Sequence, residues 1–455
     1  MSQLDRFLGL LASPLGIAGG LLLLVLSGVL VSVRFRWALW GVMALLIFTS
    51  SLSSPSKEIF ALAPPLKQLS REGRSLTVVC LLFLLVPALS AKRGSRRRIV
   101  FGPMLLYLLF QLLFSFMYFL AGDTERGIFA PIIFLLTFFV FGIGLSRMLQ
   151  RADDLDNLLK MLIVVALAVV LGTVYQLSVD RAMIMAQGRL FGLTGNPQAL
   201  AIYCGALVLP VVAGVQRLGH QRIWYLLALF LTGFLVVFLL WSGSRTGILM
   251  TLTGLGLMFR HQLGGLLKTT ILVATMVMFA WQVTDFGESS AVIQERFGRS
   301  VLVNTREATW NSMLTVFVEN PIFGSTKDVW ATESSYLGAL ARFGVVGTAP
   351  LFISVTLVLM ALVKLNKKRS GLGEHAILVD LVTAGFFSLA IGAVFEGFLM
   401  ATLTPMLYMI YIYMALGAFL LDRSENVQGG QYVGKLVLRK IEHEPQSSCA
   451  MYQEF

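Results

Sequence analysis

The residues best equipped for chemistry are concentrated in one polar interruption, 285–342, set between long apolar runs. It carries Arg296, Arg299, Arg306, Lys327 and Arg342, the acids Glu307 and Glu333, and the aromatics Trp310, Trp330 and Tyr336. Two further loops each present an arginine. Arg189 lies among Gly188, Gly192, Gly195 and Pro197, a composition that marks a tight irregular connection. Asn196-Pro197 then reads as the N-cap and first-turn proline of a new helix. Arg245 falls in Ser242-Gly243-Ser244-Arg245-Thr246, which joins two apolar runs with almost no loop. Such a turn exposes backbone N–H groups at the positive end of a helix, which suits an anion. A guanidinium held there is ready for phosphate, with its permanent charge and bidentate geometry. The plainer reading is a snorkelling arginine that meets lipid headgroups.

Within the long interruption, Asn304-Thr305-Arg306-Glu307 resembles an N-cap with an acid three positions later. Trp310, Met313, Leu314, Phe317 and Val318 follow at helical spacing, and Pro321 and Gly324 end the element. This predicts an amphipathic helix lying over a membrane domain, with Arg299, Arg306 and Trp310 on one face if the helix starts early enough. Packing alone would account for the apolar stripe. Another helix is predicted to begin near Thr332–Tyr336 and to run through Gly344 and Gly347 into the membrane, with Glu333 at its N-terminal end, where the helix dipole favours an acid.

The elements that must position these residues are membrane helices. The 455-residue chain is 57% hydrophobic and 13% charged, and its mean hydropathy is +0.80. A soluble domain of this length needs far more charge to cover its surface. Uncharged runs at 14–33, 37–53, 75–91, 99–121, 128–146, 161–179, 198–216, 223–244, 246–259, 269–284, 343–363, 381–395 and 397–421 predict about 12 to 13 spans in one all-α domain, residues 1–421, followed by a tail, 422–455. The net charge of +12 is not read as a nucleic-acid signature. Basic clusters at Arg34/Arg36, Lys92–Arg98, Arg147/Arg151, Arg217/Arg222, Arg260/Lys268 and Lys364–Arg369 fall at every second inter-helix loop, as the positive-inside rule expects of the cytoplasmic side. The arginine loops and the long segment then face outward. Thirteen crossings place the N-terminus outside, and a re-entrant first run places it inside. The first residues lack the basic region and cleavage site of a removable signal peptide.

His220, His261, His375 and His443 all fall on the predicted cytoplasmic side, so any outward-facing general base is a carboxylate. Cys80, Cys204 and Cys449 have no metal or redox spacing. Asp154-Leu155-Asp156 has the D-x-D spacing of some metal-dependent nucleotide-sugar sites, but it lies on the cytoplasmic side beside a membrane run and reads as a solvated helix start.

Taken in order, Gly188-Arg189…Gly192…Gly195-Asn196-Pro197, Ser244-Arg245-Thr246-Gly247, Arg306…Trp310…Pro321…Gly324 and Tyr336-Leu337…Gly344…Gly347 resemble the O-antigen ligase and polymerase superfamily of bacterial membrane glycosyltransferases. The topology match covers the whole chain, and the motif match covers roughly 185–350. The resemblance implies a GT-C-like fold in the bacterial inner membrane, an active site facing the periplasm, and a glycan on undecaprenyl pyrophosphate as substrate. It implies that Arg189, Arg245 and Arg306, with Arg299 beside them, grip the pyrophosphate, that Glu333 orients the acceptor hydroxyl or takes its proton, and that Trp310 and Tyr336 stack on sugar rings. It implies no metal or other cofactor, because arginines supply the charge, and it allows a chain-length regulator as partner. Ligases of this superfamily carry a histidine where this chain has Glu333, so the resemblance favours a polymerase of lipid-linked repeats over a ligase acting on lipid A core. A transporter of lipid-linked sugars is the alternative of a different class. It needs polar groups near the midplane, and here Asp380 and Glu396 only flank one helix.

Overall fold

The computed structural model describes residues 36–52, 63–90, 98–149, 152–179, 184–186, 188–261, 264, 306–325 and 333–442. The expected runs 14–33 and 269–284, together with Arg296, Arg299, Lys327, Trp330, His443 and Cys449, lie outside the described residues. The structure is all-α apart from a two-stranded ribbon. Its helices are α1 (Arg36–Ser51), α2 (Pro64–Ser90), α3 (Arg98–Leu120), α4 (Thr124–Thr137, continued by a π-helical stretch Phe138–Gly144 and Leu145–Met148), α5 (Ala152–Val179), α6 (Pro197–Arg217), α7 (Arg222–Trp241), α8 (Arg245–Phe259), α9 (Glu307–Glu319), α10 (Ser335–Lys367), α11 (Ala376–Phe395) and α12 (Pro405–Glu442). The ribbon pairs β1 (Met185–Ala186) with β2 (Arg189–Leu190).

Eight of these helices are long and apolar enough to cross a bilayer, and α1, the second half of α2 and α8 are shorter apolar helices. They correspond to the expected runs that fall among the described residues, so the protein is a polytopic all-α membrane protein. Two boundaries differ from expectation. The loop expected over 54–74 is helical from Pro64, and the run 397–421 becomes α-helical only at Pro405, after a turn that includes a 3-10 stretch, Phe398–Met400. α6 and the first half of α12 are enclosed by other helices, whereas α10 exposes Val345, Val346, Phe352, Ile353, Met360 and Val363. An apolar exterior of this kind fits lipid, which unlike water carries no penalty for contact with it.

The two ends of the bundle differ in chemistry. At one end, Arg147 donates to the last carbonyls of α2, Ala88 O and Leu89 O, both at 3.2 Å, where a cation meets the negative end of the helix. Arg217 binds Asp156 at 2.6 Å and the Glu374 carbonyl at 3.1 Å. Arg369 forks onto both oxygens of Asp380 (Nε–Oδ1 2.9 Å, Nη2–Oδ2 2.6 Å), with Arg260 3.3 Å from the same carboxylate. The D-x-D segment is therefore not a solvated start: Asp154 is buried and Asp156 is ion-paired. No group of three or more metal-binding side chains occurs among the described residues. Asp380 is likewise committed to structure.

At the other end, α10 bends. Gly344 takes φ +60° and ψ −167° inside the helix, a conformation that L-residues with a Cβ avoid. The amides released by the bend are satisfied from outside the helix. Val345 N donates to Pro321 O at 2.8 Å and Val346 N to Ile322 O at 3.1 Å, while Ser325 N reaches Ala341 O at 3.0 Å. The turn after α9 is thus clasped onto the kink. A Cβ on Gly344 would lie 2.4 Å from the Ile322 carbonyl carbon. Gly344→Ala is expected to cost about 2 kcal/mol or more through backbone strain and overlap, read as a lower thermal midpoint in detergent, and Gly256→Ala, where a Cβ meets nothing within 4 Å, serves as the neutral control.

Candidate functional site

The arginines gather in two groups at the end of the bundle opposite the basic network. The first group is built by the ribbon. Met185 pairs with Leu190 and Ala186 with Arg189, and Gly188 (φ +68°) makes the reversal. Leu190 and Leu193 are buried and plug the segment into the core. Asn196 caps α6, its side chain accepting from Gln198 N at 2.8 Å, with Pro197 in the first turn as expected. Arg189 Nε then donates to the Ser242 carbonyl at 2.8 Å. That carbonyl belongs to the turn through Gly243 (φ +60°) whose Ser244 caps α8 by accepting from Gly247 N at 3.4 Å. Arg245 is the first residue of α8 and is exposed. Arg189 therefore stitches the turn that presents Arg245, and the two arginines share one local structure.

The second group surrounds Arg306. Asn304 lies outside the described residues. α9 begins at Glu307 with Arg306 itself at the N-cap position, so Arg306 does not lie within the helix as the predicted face required. The inward side of α9 carries Trp310, Met313, Val316 and Phe317, whereas Leu314 and Val318, expected in the buried stripe, are exposed. Arg306 reaches across to the end of α11. Its Nη2 lies 2.5 Å from Glu396 Oε1, its Nη1 donates to the Phe395 carbonyl, and its guanidinium sits 5.9 Å from the centre of the Phe395 ring. The Trp310 ring packs on the same Phe395 at 5.9 Å. Ser335 Oγ donates to the Glu396 carbonyl at 2.6 Å and accepts from Leu399 N at 3.2 Å, tying the turn 396–399 to the start of α10.

Glu333 precedes the N-cap Ser334 and so stands just outside α10. Its Oε2 is buried without a hydrogen-bond partner among the described residues, and so is Trp310 Nε1. Tyr336 points into the bundle. Its ring stacks on Phe352 at 6.1 Å and its hydroxyl donates to Ala390 O at 3.4 Å.

A cavity of about 260 Å³ opens between the ends of α1 and α6 and the turn 396–404, lined by Ser51, Thr194, Asn196, Tyr203, Glu396 and Thr404 among others. Ligand pockets commonly span about 300–1,000 Å³, and this space falls just below that range, the size for one small group such as a single sugar or a diphosphate rather than a whole oligosaccharide. Arg306 meets it through Glu396, and Thr194 and Asn196, which follow the strand of Arg189, line it, whereas Arg189 itself turns to the Ser242 carbonyl. Tyr336 and Trp310 do not line it. Burial raises the Glu396 pKa above its ordinary value, and the nearby Glu333 pushes the same way. The Arg306 hydrogen bond and charge oppose both effects.

In the sequence Glu396 stands out only as a charge flanking a helix, whereas the folded chain makes it the partner of Arg306 at the cavity. The available signal was its position: a lone acid that ends one uncharged run and precedes another on the side of the arginine loops. No family model matches the chain, and no curated protein matches it.

With side chains only 12% and 18% exposed, Arg306 and Glu396 depend on each other. A double-mutant cycle with Arg306→Met and Glu396→Gln, read by thermal unfolding, is expected to give a coupling of about 1–3 kcal/mol, the double variant recovering part of the loss. Additive losses would mean the pair is not coupled.

Proposed function

We propose that this protein is a bacterial inner-membrane glycosyltransferase that joins undecaprenyl-pyrophosphate-linked oligosaccharide repeats on the periplasmic side. The observation that carries the reading is Arg306, paired with the partly buried carboxylate of Glu396 that lines the cavity, together with the second arginine group in which Arg189 holds the turn that presents Arg245. Leaving diphosphate gains charge in the transition state, and cations positioned in advance in a partly dry site stabilise that charge without reorganising. The acceptor is the sugar end of a second lipid-linked repeat. Its hydroxyl attacks the anomeric carbon in line, with inversion, as the C–O bond to undecaprenyl pyrophosphate breaks. Arg306, Arg245 and Arg189 hold the leaving diphosphate and Glu333 orients the acceptor. Trp310 packs on Phe395 and Tyr336 on Phe352, and neither lines the cavity, so sugar contact falls to the cavity hydroxyls. Basic loops at the opposite end set the orientation across the membrane.

The test uses purified protein in nanodiscs with lipid-linked repeats as the only substrate, and product is read by gel or mass analysis. A ladder of longer lipid-linked glycans is expected, and Arg306→Ala is expected to lower its rate about 10²-fold or more. Transfer seen only after lipid A core is added makes the protein a ligase. Movement of lipid-linked sugar across the bilayer with no new glycosidic bond makes it a transporter.

A further inference from the structure

Glu396 combines features that a merely structural ion-pair partner does not need. It lines the cavity, whereas a residue serving only to hold α9 could sit behind it. Its carboxylate touches Arg306 through one oxygen, Oε1. A second carboxylate, Glu333, acts on it electrostatically, and one oxygen of Glu333 is buried without a hydrogen-bond partner among the described residues. Its backbone is fixed by Ser335 and by the Arg306 contact at Phe395, so the carboxylate is aimed by structure on both sides. Among the described residues, every histidine lies at the opposite end of the bundle, so none of these imidazoles serves here.

We infer that Glu396 is the general base of the transfer reaction and that its protonation releases Arg306 to the leaving diphosphate. The inference rests on the glycosyltransferase reading above. In the step, the acceptor hydroxyl oxygen forms a bond to the anomeric carbon, the bond from that carbon to the diphosphate oxygen breaks, and the bonding pair leaves with the diphosphate. The hydroxyl proton passes to Glu396, which becomes a neutral acid and later returns the proton to water. Neutral Glu396 no longer binds the guanidinium as an ion. The full charge of Arg306 is then available at the moment the leaving group becomes more negative. One proton transfer thus couples deprotonation of the acceptor to stabilisation of the leaving group. Glu333 remains a positioning residue. Its negative charge beside Glu396 favours proton uptake, because two close carboxylates resist being ionised together. Burial and Glu333 both raise the Glu396 pKa, which moves it toward the range where a carboxylate is an effective base.

The experiment compares wild type, Glu396→Gln and Glu333→Gln in the nanodisc assay over a pH series, with binding of undecaprenyl pyrophosphate measured separately. Glu396→Gln is expected to lose about 10²-fold or more in kcat while binding undecaprenyl pyrophosphate as tightly as wild type or more tightly, because Arg306 no longer faces a charge. Wild-type kcat is expected to fall on the acid side as Glu396 becomes protonated. That fall should be absent from the residual rate of Glu396→Gln and should shift to lower pH in Glu333→Gln. A Glu396→Gln rate within threefold of wild type overturns the inference, as does an unchanged acid limb. Should Glu396→Gln fail to fold, Glu396→Asp carries the test. It keeps the charge but withdraws it by one methylene, and a loss of about tenfold or more supports the role while full activity overturns it. A wild type that elongates no lipid-linked glycan overturns the glycosyltransferase reading and this inference with it, whereas an active wild type with an equally active Glu396→Gln overturns this inference alone.

Discussion

The contact between Arg306 and Glu396 joins the external helix to the membrane bundle. α9 has few buried side chains, Met313 chief among them, so apolar packing alone gives it a weak hold. Two polar attachments supplement that packing: the Arg306 ion pair at its start and the clasp of 321–325 on the α10 kink at its end. Burying an ion pair is costly, and its net contribution to stability is small unless further hydrogen bonds satisfy both partners. Here the guanidinium also meets a carbonyl and an aromatic face, and the turn that carries Glu396 is anchored by Ser335.

That geometry has a chemical consequence. A cation waiting in a partly dry site must be neutralised by something when substrate is absent, and Glu396 does this. The same carboxylate then competes with any anionic ligand for Arg306. Proton uptake removes the competition, so a resting-state requirement becomes a switch that chemistry itself can operate. Arg189 and Arg245 solve the problem differently. Arg189 is held by a neutral carbonyl, and Arg245 lies exposed at the start of α8.

The opposite end uses charge for a different purpose. Asp380 takes two arginines and Asp156 takes Arg217, in pairs that cross between helices or from a loop to a helix. These contacts fix how the helices meet in a core where lipid supplies no hydrophobic drive for association. None of them adjoins the cavity, which separates the structural charges from those available for chemistry.

The primary structure by itself determined the membrane character, the spans among the described residues and the alternation of basic and arginine-bearing loops. Each of these follows from local composition and run length, which bilayer thickness converts directly into structure. It also located the cap at Asn196, the Ser/Gly turn before Arg245 and the three described arginines as candidates, because turn chemistry is written over a few neighbouring residues. Only the tertiary structure decided which of them meet. Arg189 belongs with the turn before Arg245, and Arg306 belongs with Glu396. Tyr336 stacks on Phe352 along α10, and Leu314 and Val318 leave the buried face of α9. The Gly344 kink and its clasp were equally hidden. A glycine in an apolar run signals neither a bend nor the backbone that will fill it, and the partner carbonyls arrive from a different element. Glu396 shows the limit most clearly: one acid in a chain says little until folding sets a guanidinium, a second carboxylate and a cavity around it.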